Sequence, residues 1–131
     1  MRFYFCTTSN KFGESMILTP RIPESLEIDR EDNKTKRICV SNSIIGCLSA
    51  IGQNLYIDQE VKVYYCDIYD MKYIHQPTVE EVADVEYTGE YWLLSETKFN
   101  LLKKVKITKR IQDMFIDESR LFYFEFKNVI N

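Results

Sequence analysis

The chain has 131 residues, of which 45% are hydrophobic and 28% charged, with a net charge of -3. This length predicts a single domain over residues 1–131, and the composition is that of a folded protein rather than a disordered one. The acidic balance argues against general nucleic-acid binding, which depends on clustered cations. The sequence contains no run of about 18 apolar residues, so a membrane-spanning helix is not predicted.

The cysteines and the N-terminus bear on compartment and metal binding. The four cysteines contain no Cys-x-x-Cys pair, and His75 is the only histidine, so a zinc site of usual spacing is not predicted. We expect reduced, mostly buried thiols. Because no signal-peptide pattern precedes the first strand-like segment, the expected location is cytoplasmic.

The first half of the chain combines strands with one helix. A strand is predicted at residues 2–8, an exposed, highly charged loop at 24–36 and a second strand at 37–40. A helix should follow, capped by Ser41 or Asn42, because the apolar residues after the cap recur at helical spacing: Ile44, Ile45, Leu48 and Ile51.

The second half is richer in strands, which are predicted at residues 61–68, 90–95, 102–108 and 121–127. Thr78 and Glu81 match a capping box and predict one helical turn at 79–83. Strands therefore outnumber short helices. This pattern predicts an α+β fold with small mixed or antiparallel sheets.

Three short segments carry a resemblance: Phe3-Tyr4-Phe5-Cys6-Thr7-Thr8-Ser9, Arg37-Ile38-Cys39-Val40-Ser41-Asn42-Ser43 and Gly89-Glu90-Tyr91-Trp92-Leu93-Leu94. Their order resembles the ADP-ribosyltransferase fold of the PARP-like and RNA 2′-phosphotransferase-like groups. The resemblance implies a cleft between two small sheets that grips NAD, with the three strands side by side. It requires no cofactor, since NAD or a related nucleotide is the ligand.

Glu90 leads the third segment, and the resemblance implies that it contacts the ribose and steadies an oxocarbenium-like charge. A fixed carboxylate favours developing positive charge in a dry cleft. The segment's Trp92 would lie beside it at the ligand. The alternative is a surface carboxylate before a strand whose Trp92 and Leu94 are simply core.

The first two segments depart from the family pattern. Where the family usually places a His after a Tyr or Trp, here Tyr4 is followed by Phe5 and Cys6. Cys39 occupies the place of an aromatic residue that stacks on nicotinamide, and Ser41 begins the polar turn. The resemblance therefore implies ligand binding by Tyr4, Cys39 and Ser41 more than it implies turnover.

Two arginines flank the charged loop. If the first strands are neighbours, the planar guanidiniums of Arg21 and Arg37 can approach a pyrophosphate. Surface solvation is the alternative, and it is favoured slightly for Arg37. The lysines of 103–110 alternate along a strand as on a half-solvated edge.

The residues and the resemblance leave three functions open. The first is binding of an NAD-derived or related adenine nucleotide without turnover, as when phage anti-defence proteins sequester a nucleotide immune signal. The second is an active NAD-dependent ADP-ribosyltransferase that uses Glu90. The third is a protein-interaction module that uses exposed Tyr residues and the charged loop.

Overall fold

The computed structural model of the chain describes residues 1–23, 33–51, 55–83 and 85–109. These ranges contain seven strands: β1 (Arg2–Thr7), β2 (Ser15–Leu18), β3 (Ile38–Ser41), β4 (Glu60–Asp67), β5 (Ile74–His75), β6 (Glu90–Leu93) and β7 (Thr97–Lys106). They also contain helix α1 (Ile44–Ile51), the single-turn helix α2 (Val85–Thr88) and a 3-10 turn at Met71–Tyr73.

The seven strands form one sheet in the order β2-β7-β4-β1-β3-β6-β5. Each pair of neighbours in this sheet is antiparallel, which confirms the predicted α+β class. The prediction of several small sheets is wrong for the described strands, because β4 pairs with both β1 and β7 and so joins the two halves. The predicted neighbourhood of the first strand, the Arg37 strand and the Glu90 strand is confirmed, since β1, β3 and β6 are consecutive.

Apolar side chains cover both faces of the sheet. Since successive residues of a strand point to opposite faces, one strand contributes to two cores. We call the side on which α1 packs the helix face; its core consists of Ile45, Leu48, Leu55, Val61 and Ile107. The other side, here called the opposite face, is larger and contains Phe3, Met16, Ile38, Val40, Tyr64, Cys66, Leu93 and Phe99.

Some element boundaries differ from the sequence predictions. Strand β7 begins at Thr97 rather than at residue 102, because Thr97–Asn100 pair with β2 and Phe99 is fully buried. The Thr78 N–H donates to Glu81 Oε1 at 3.1 Å as the capping box requires, yet residues 79–83 form a turn and the helix follows at α2. The predicted strand at 121–127 and most of the charged loop lie outside the described residues.

The structure also bears on the predictions about cysteine thiols and membrane spans. Cys47 and Cys66 are buried, Cys6 and Cys39 are half-buried, and all four are free thiols. Across the described ranges no helix has the length and apolar character that a bilayer crossing requires.

Candidate functional site

Strand pairing brings the seven predicted site residues to one face of the sheet. Directly opposed residues share a face, and Ser41 is opposite both Tyr4 of β1 and Glu90 of β6. One step along β3, Cys39 is opposite Trp92, and beyond the strand Arg37 forms an isolated bridge with Arg21. Since Ile38 and Val40 belong to the opposite-face core, the alternating residues of β3 point to the helix face.

The pairing of β1 is uneven on its two sides. It follows β4 along its whole length, from Arg2 opposite Asp67 to Thr7 opposite Lys62. On its other side its registered pairing with β3 is at Tyr4 opposite Ser41 alone. We call this β1–β3 boundary the seam.

A cavity of about 120 Å³ lies at the seam. Of the predicted site residues, Cys39, Ser41 and Glu90 line it, whereas Tyr4, Arg21, Arg37 and Trp92 do not. The remaining lining residues come from β1, β3, α1 and α2: Phe5, Cys6, Val40, Gly46, Cys47, Ala50, Ile51 and Thr88. The structure therefore gathers the three strands around one concavity, but it places only part of the predicted set in its wall.

Close backbone packing builds the wall formed by α1 and α2. A Cβ on Gly46 would clash with the carbonyl of Thr88, so only glycine lets the two helices approach this closely. Gly89 has φ of +60°, the left-handed conformation that glycine adopts readily, and its carbonyl accepts from the Asn42 N–H at 3.1 Å. The chain can thus turn from α2 into β6 with Glu90 beside the cavity.

Ser41 and Ser43, which precede α1, form different hydrogen bonds. The Ser41 hydroxyl donates to the Thr88 carbonyl at 2.5 Å, and Ser41 is only 3% exposed. Ser43, rather than Ser41 or Asn42, caps the helix, since its Oγ accepts from the Gly46 N–H at 3.0 Å. The predicted caps were wrong because the Ser41 hydroxyl bonds across to α2. The Ser41 Oγ also accepts a hydrogen bond from the Ser43 N–H at 3.2 Å.

Glu90 is held by its neighbour on the same strand. Trp92 donates from Nε1 to Glu90 Oε2 at 2.7 Å, a charge-assisted hydrogen bond when the carboxylate is ionised. Trp92 itself is 1% exposed. The buried Trp92 ring therefore holds the Glu90 carboxylate in position through this hydrogen bond.

Arg37 packs on the same indole. Its guanidinium carbon lies 4.1 Å from the Trp92 ring centroid, and its Nη1 donates to the Thr35 carbonyl at 2.9 Å. Arg37 is 2% exposed, so the preference for surface solvation is wrong at this position. A planar guanidinium suits this site because it stacks on an aromatic face.

Arg21 differs from its bridge partner in exposure. The two backbones exchange hydrogen bonds of 3.0 and 2.9 Å, yet Arg21 is exposed while Arg37 is buried. Cys39 is two residues beyond Arg37, which corresponds to roughly 7 Å along a strand. The Arg21 guanidinium is therefore on the surface near one end of the seam.

His75 joins this cluster from the edge strand β5, a position that the sequence did not indicate. It stands opposite Trp92 with ring centroids 5.1 Å apart, and its Nε2 lies 3.0 Å from Glu81 Oε1. Hydrogen bonding from the Thr78 backbone, assisted by His75, lowers the pKa of Glu81. A histidine in a two-residue strand gives little periodic signal, so only the sheet order reveals it.

Three cysteines share the cavity wall. Burial raises the pKa of the Cys47 thiol well above its usual value, and contact with the Cys6 thiol adds to the shift. On the opposite face burial raises the pKa of Cys66 to about 11. Both buried thiols are therefore protonated at neutral pH.

Metal binding finds no support at this site. Within the described ranges no group of three or more His, Cys, Asp or Glu side chains could hold a metal ion.

No family model, curated protein or solved structure matches the chain.

Proposed function

We propose that the chain binds an NAD-derived or related adenine nucleotide at the seam without turning it over. The observation that carries this proposal is the cavity where β1 and β3 part, which is lined by Cys39, Ser41 and Glu90. A nucleotide needs one concavity with a few convergent polar groups in a largely apolar wall. The seam supplies both.

The size of the cavity limits which part of the ligand it encloses. Its volume of about 120 Å³ is below the roughly 300–1000 Å³ of typical drug-sized sites. We infer that it receives one ring-sized group, and that the rest of the nucleotide lies along the surface toward Arg21. An exposed guanidinium at that end is suited to a pyrophosphate.

The groups around the seam favour binding over catalysis. A transferase must orient the nicotinamide ribose as well as stabilise its charge, and misplacement alone costs on the order of a hundredfold in rate. Cys39 offers no aromatic face, and His75 contacts Glu81 and Trp92 rather than lining the cavity. Glu90 alone would serve the charge, with one oxygen already accepting from Trp92.

Calorimetric titration of the purified chain with NAD and with ADP-ribose tests the proposal. Binding should be saturable and should weaken in Glu90→Gln, whereas Glu96→Gln, an exposed carboxylate on the β6–β7 turn, should bind as the wild type does. Absence of binding to either nucleotide, or equal effects of the two variants, would refute the proposed site.

The transferase alternative is tested with the same purified protein. Incubation with NAD followed by chromatography should give nicotinamide at the background rate. Robust release that disappears in Glu90→Gln would select the enzyme instead.

The protein-interaction alternative has its own supporting observation. The connection between β4 and β5 exposes three large side chains, with Tyr69 89%, Tyr73 51% and Met71 42% accessible. Tyr and Met are common in binding surfaces. Failure to bind nucleotide, together with loss of a co-purifying protein in Tyr69→Ala but not in Tyr56→Ala, would favour this function.

A further inference from the structure

Three of the four cysteines meet at the seam, and their positions differ in a way that matters chemically. Cys6 and Cys39 are half-buried in the cavity wall, and Cys47 of α1 is buried behind them. Cys6 and Cys47 line one cavity wall from β1 and α1, and Cys6 packs against the core cluster that contains Ile45 and Leu48 of the same helix. Cys66 points into the opposite-face core, away from the other three.

We propose that Cys6 and Cys47 are an oxidation-sensitive pair that forms a disulfide between β1 and α1 when the protein meets a hydroperoxide. This modification does not depend on the proposed nucleotide function. It follows from two thiols that line one cavity from separate elements, with Cys6 packed against the helix that carries Cys47, and from a cavity that admits a small oxidant.

The reaction needs only the two thiols and the peroxide. The Cys6 thiolate attacks one peroxide oxygen, the O–O bond breaks, and Cys6 becomes a sulfenic acid as the other oxygen leaves as water or alcohol. The Cys47 sulfur then attacks the Cys6 sulfur, and the sulfenic hydroxyl leaves as water with the Cys47 proton. Two thiols are oxidised by two electrons, and one peroxide is reduced.

Cys6 is the first sulfur to react because it is the more accessible member of the pair. Its half-buried thiol faces the cavity, whereas Cys47 is 7% exposed. The high pKa of Cys47 also makes it a poor first nucleophile. Its place in the same cavity wall as Cys6 is nevertheless the position that a resolving thiol requires.

Peptide mapping after oxidation tests the pair. The reduced full chain is treated with a small excess of hydrogen peroxide, blocked with N-ethylmaleimide under denaturing conditions and digested with trypsin. Cleavage after lysine and arginine puts Cys6 on residues 3–11, both Cys39 and Cys47 on residues 38–62, and Cys66 on residues 63–72. The expected product links 3–11 to 38–62, while 63–72 carries maleimide.

Two variants decide which cysteine of the 38–62 peptide is joined. Cys39→Ser should form the link to the same extent as the wild type, and Cys47→Ala should lose it while its circular dichroism stays native. A link that persists in Cys47→Ala or vanishes in Cys39→Ser would assign the partner to Cys39 and overturn the pair. Oxidation that stops at sulfinic acid, or that joins two chains, would overturn it as well.

Discussion

The two sides of β1 behave differently, although one strand forms both. Toward β4 every residue of β1 is registered, and the neighbouring β4–β7 pairing extends this part of the sheet with the fully buried Phe3, Tyr64 and Phe99. Toward β3 the registered pairing is at Tyr4 and Ser41 alone, and a cavity opens beside it. The comparison indicates that the first boundary is closed by continuous pairing and buried aromatic side chains, while the second leaves a concavity in the sheet.

Removing the Trp92 indole of β6 should have the largest effect on stability. Trp92→Ala deletes a side chain that is 1% exposed and takes away the hydrogen bond to Glu90 and the packing surface of Arg37. We expect a loss of about 3–5 kcal/mol in the free energy of unfolding, measured by denaturant titration.

Phe99→Ala on the β2–β7–β4 side is the matched comparison, since it is also fully buried and should cost a similar amount. The two variants should separate in ligand titrations at temperatures where both remain folded. Only Trp92→Ala should weaken nucleotide binding, and equal affinities would remove Trp92 from any part in positioning Glu90.

The surface end of the seam can be tested through Arg21. If its guanidinium contacts a phosphate, Arg21→Ala should weaken nucleotide binding by about 1.5–3 kcal/mol, because the lost hydrogen bond is charge-assisted. Calorimetry gives this difference directly. Lys98→Ala, which removes an exposed cation from β7, a strand that β4 separates from β1 in the sheet, should leave affinity unchanged. The same loss in both variants would indicate a general charge effect.

Close packing of α1 on α2 predicts the next effect. Gly46→Ala forces a Cβ against the Thr88 backbone, which cannot rotate away as a side chain can, and should cost about 1–3 kcal/mol in the free energy of unfolding. Gly13→Ala is the control, because nothing lies within 4 Å of its added Cβ. A Gly46→Ala variant as stable as Gly13→Ala would show that the two helices are not packed as closely as described.

The smallest expected effect is the pH dependence contributed by Glu81. Its pKa is lower in the folded protein than the usual 4.5, chiefly through the Thr78 backbone. Its stabilisation is therefore fully present above about pH 4.5 and is lost as the pH falls through the folded value.

Thermal unfolding at pH 7 and pH 3 measures this effect. Glu81→Gln should have a lower melting temperature than the wild type at pH 7. At pH 3 the difference in melting temperature between the variant and the wild type should be smaller. Glu80→Gln replaces an exposed neighbouring carboxylate and serves as the control. Identical pH profiles for the two variants would contradict the assignment.

Local sequence was sufficient to predict several elements of the fold. The strand-like composition of β1, the apolar alternation of β4 and the helical spacing in α1 depend on near neighbours, so the sequence predicts each of them. The short strands β2 and β5 and the first half of β7 depend on partners that are distant in the chain. The pairing of Ser15–Leu18 with Thr97–Asn100 has no local signature, and these strands were missed or shortened.

The neighbourhood of the three strands was predictable from the sequence, but the exposure of their residues was not. The observed register puts Tyr4, Ser41 and Glu90 on one face, because directly opposed residues of neighbouring strands share a face. Whether a residue lines the cavity depends instead on tertiary packing. Arg37 is buried against Trp92, a stacking that the residue type alone does not reveal.

Hydrogen–deuterium exchange with and without ADP-ribose tests the central claim, that ligand binds where β1 and β3 part. Peptides covering residues 2–8 and 38–51 should exchange more slowly when ligand is bound, while peptides within β4 and the first half of β7 should be unchanged. Protection confined to residues 69–73, or no protection at ligand concentrations that saturate in calorimetry, would contradict a site at the seam.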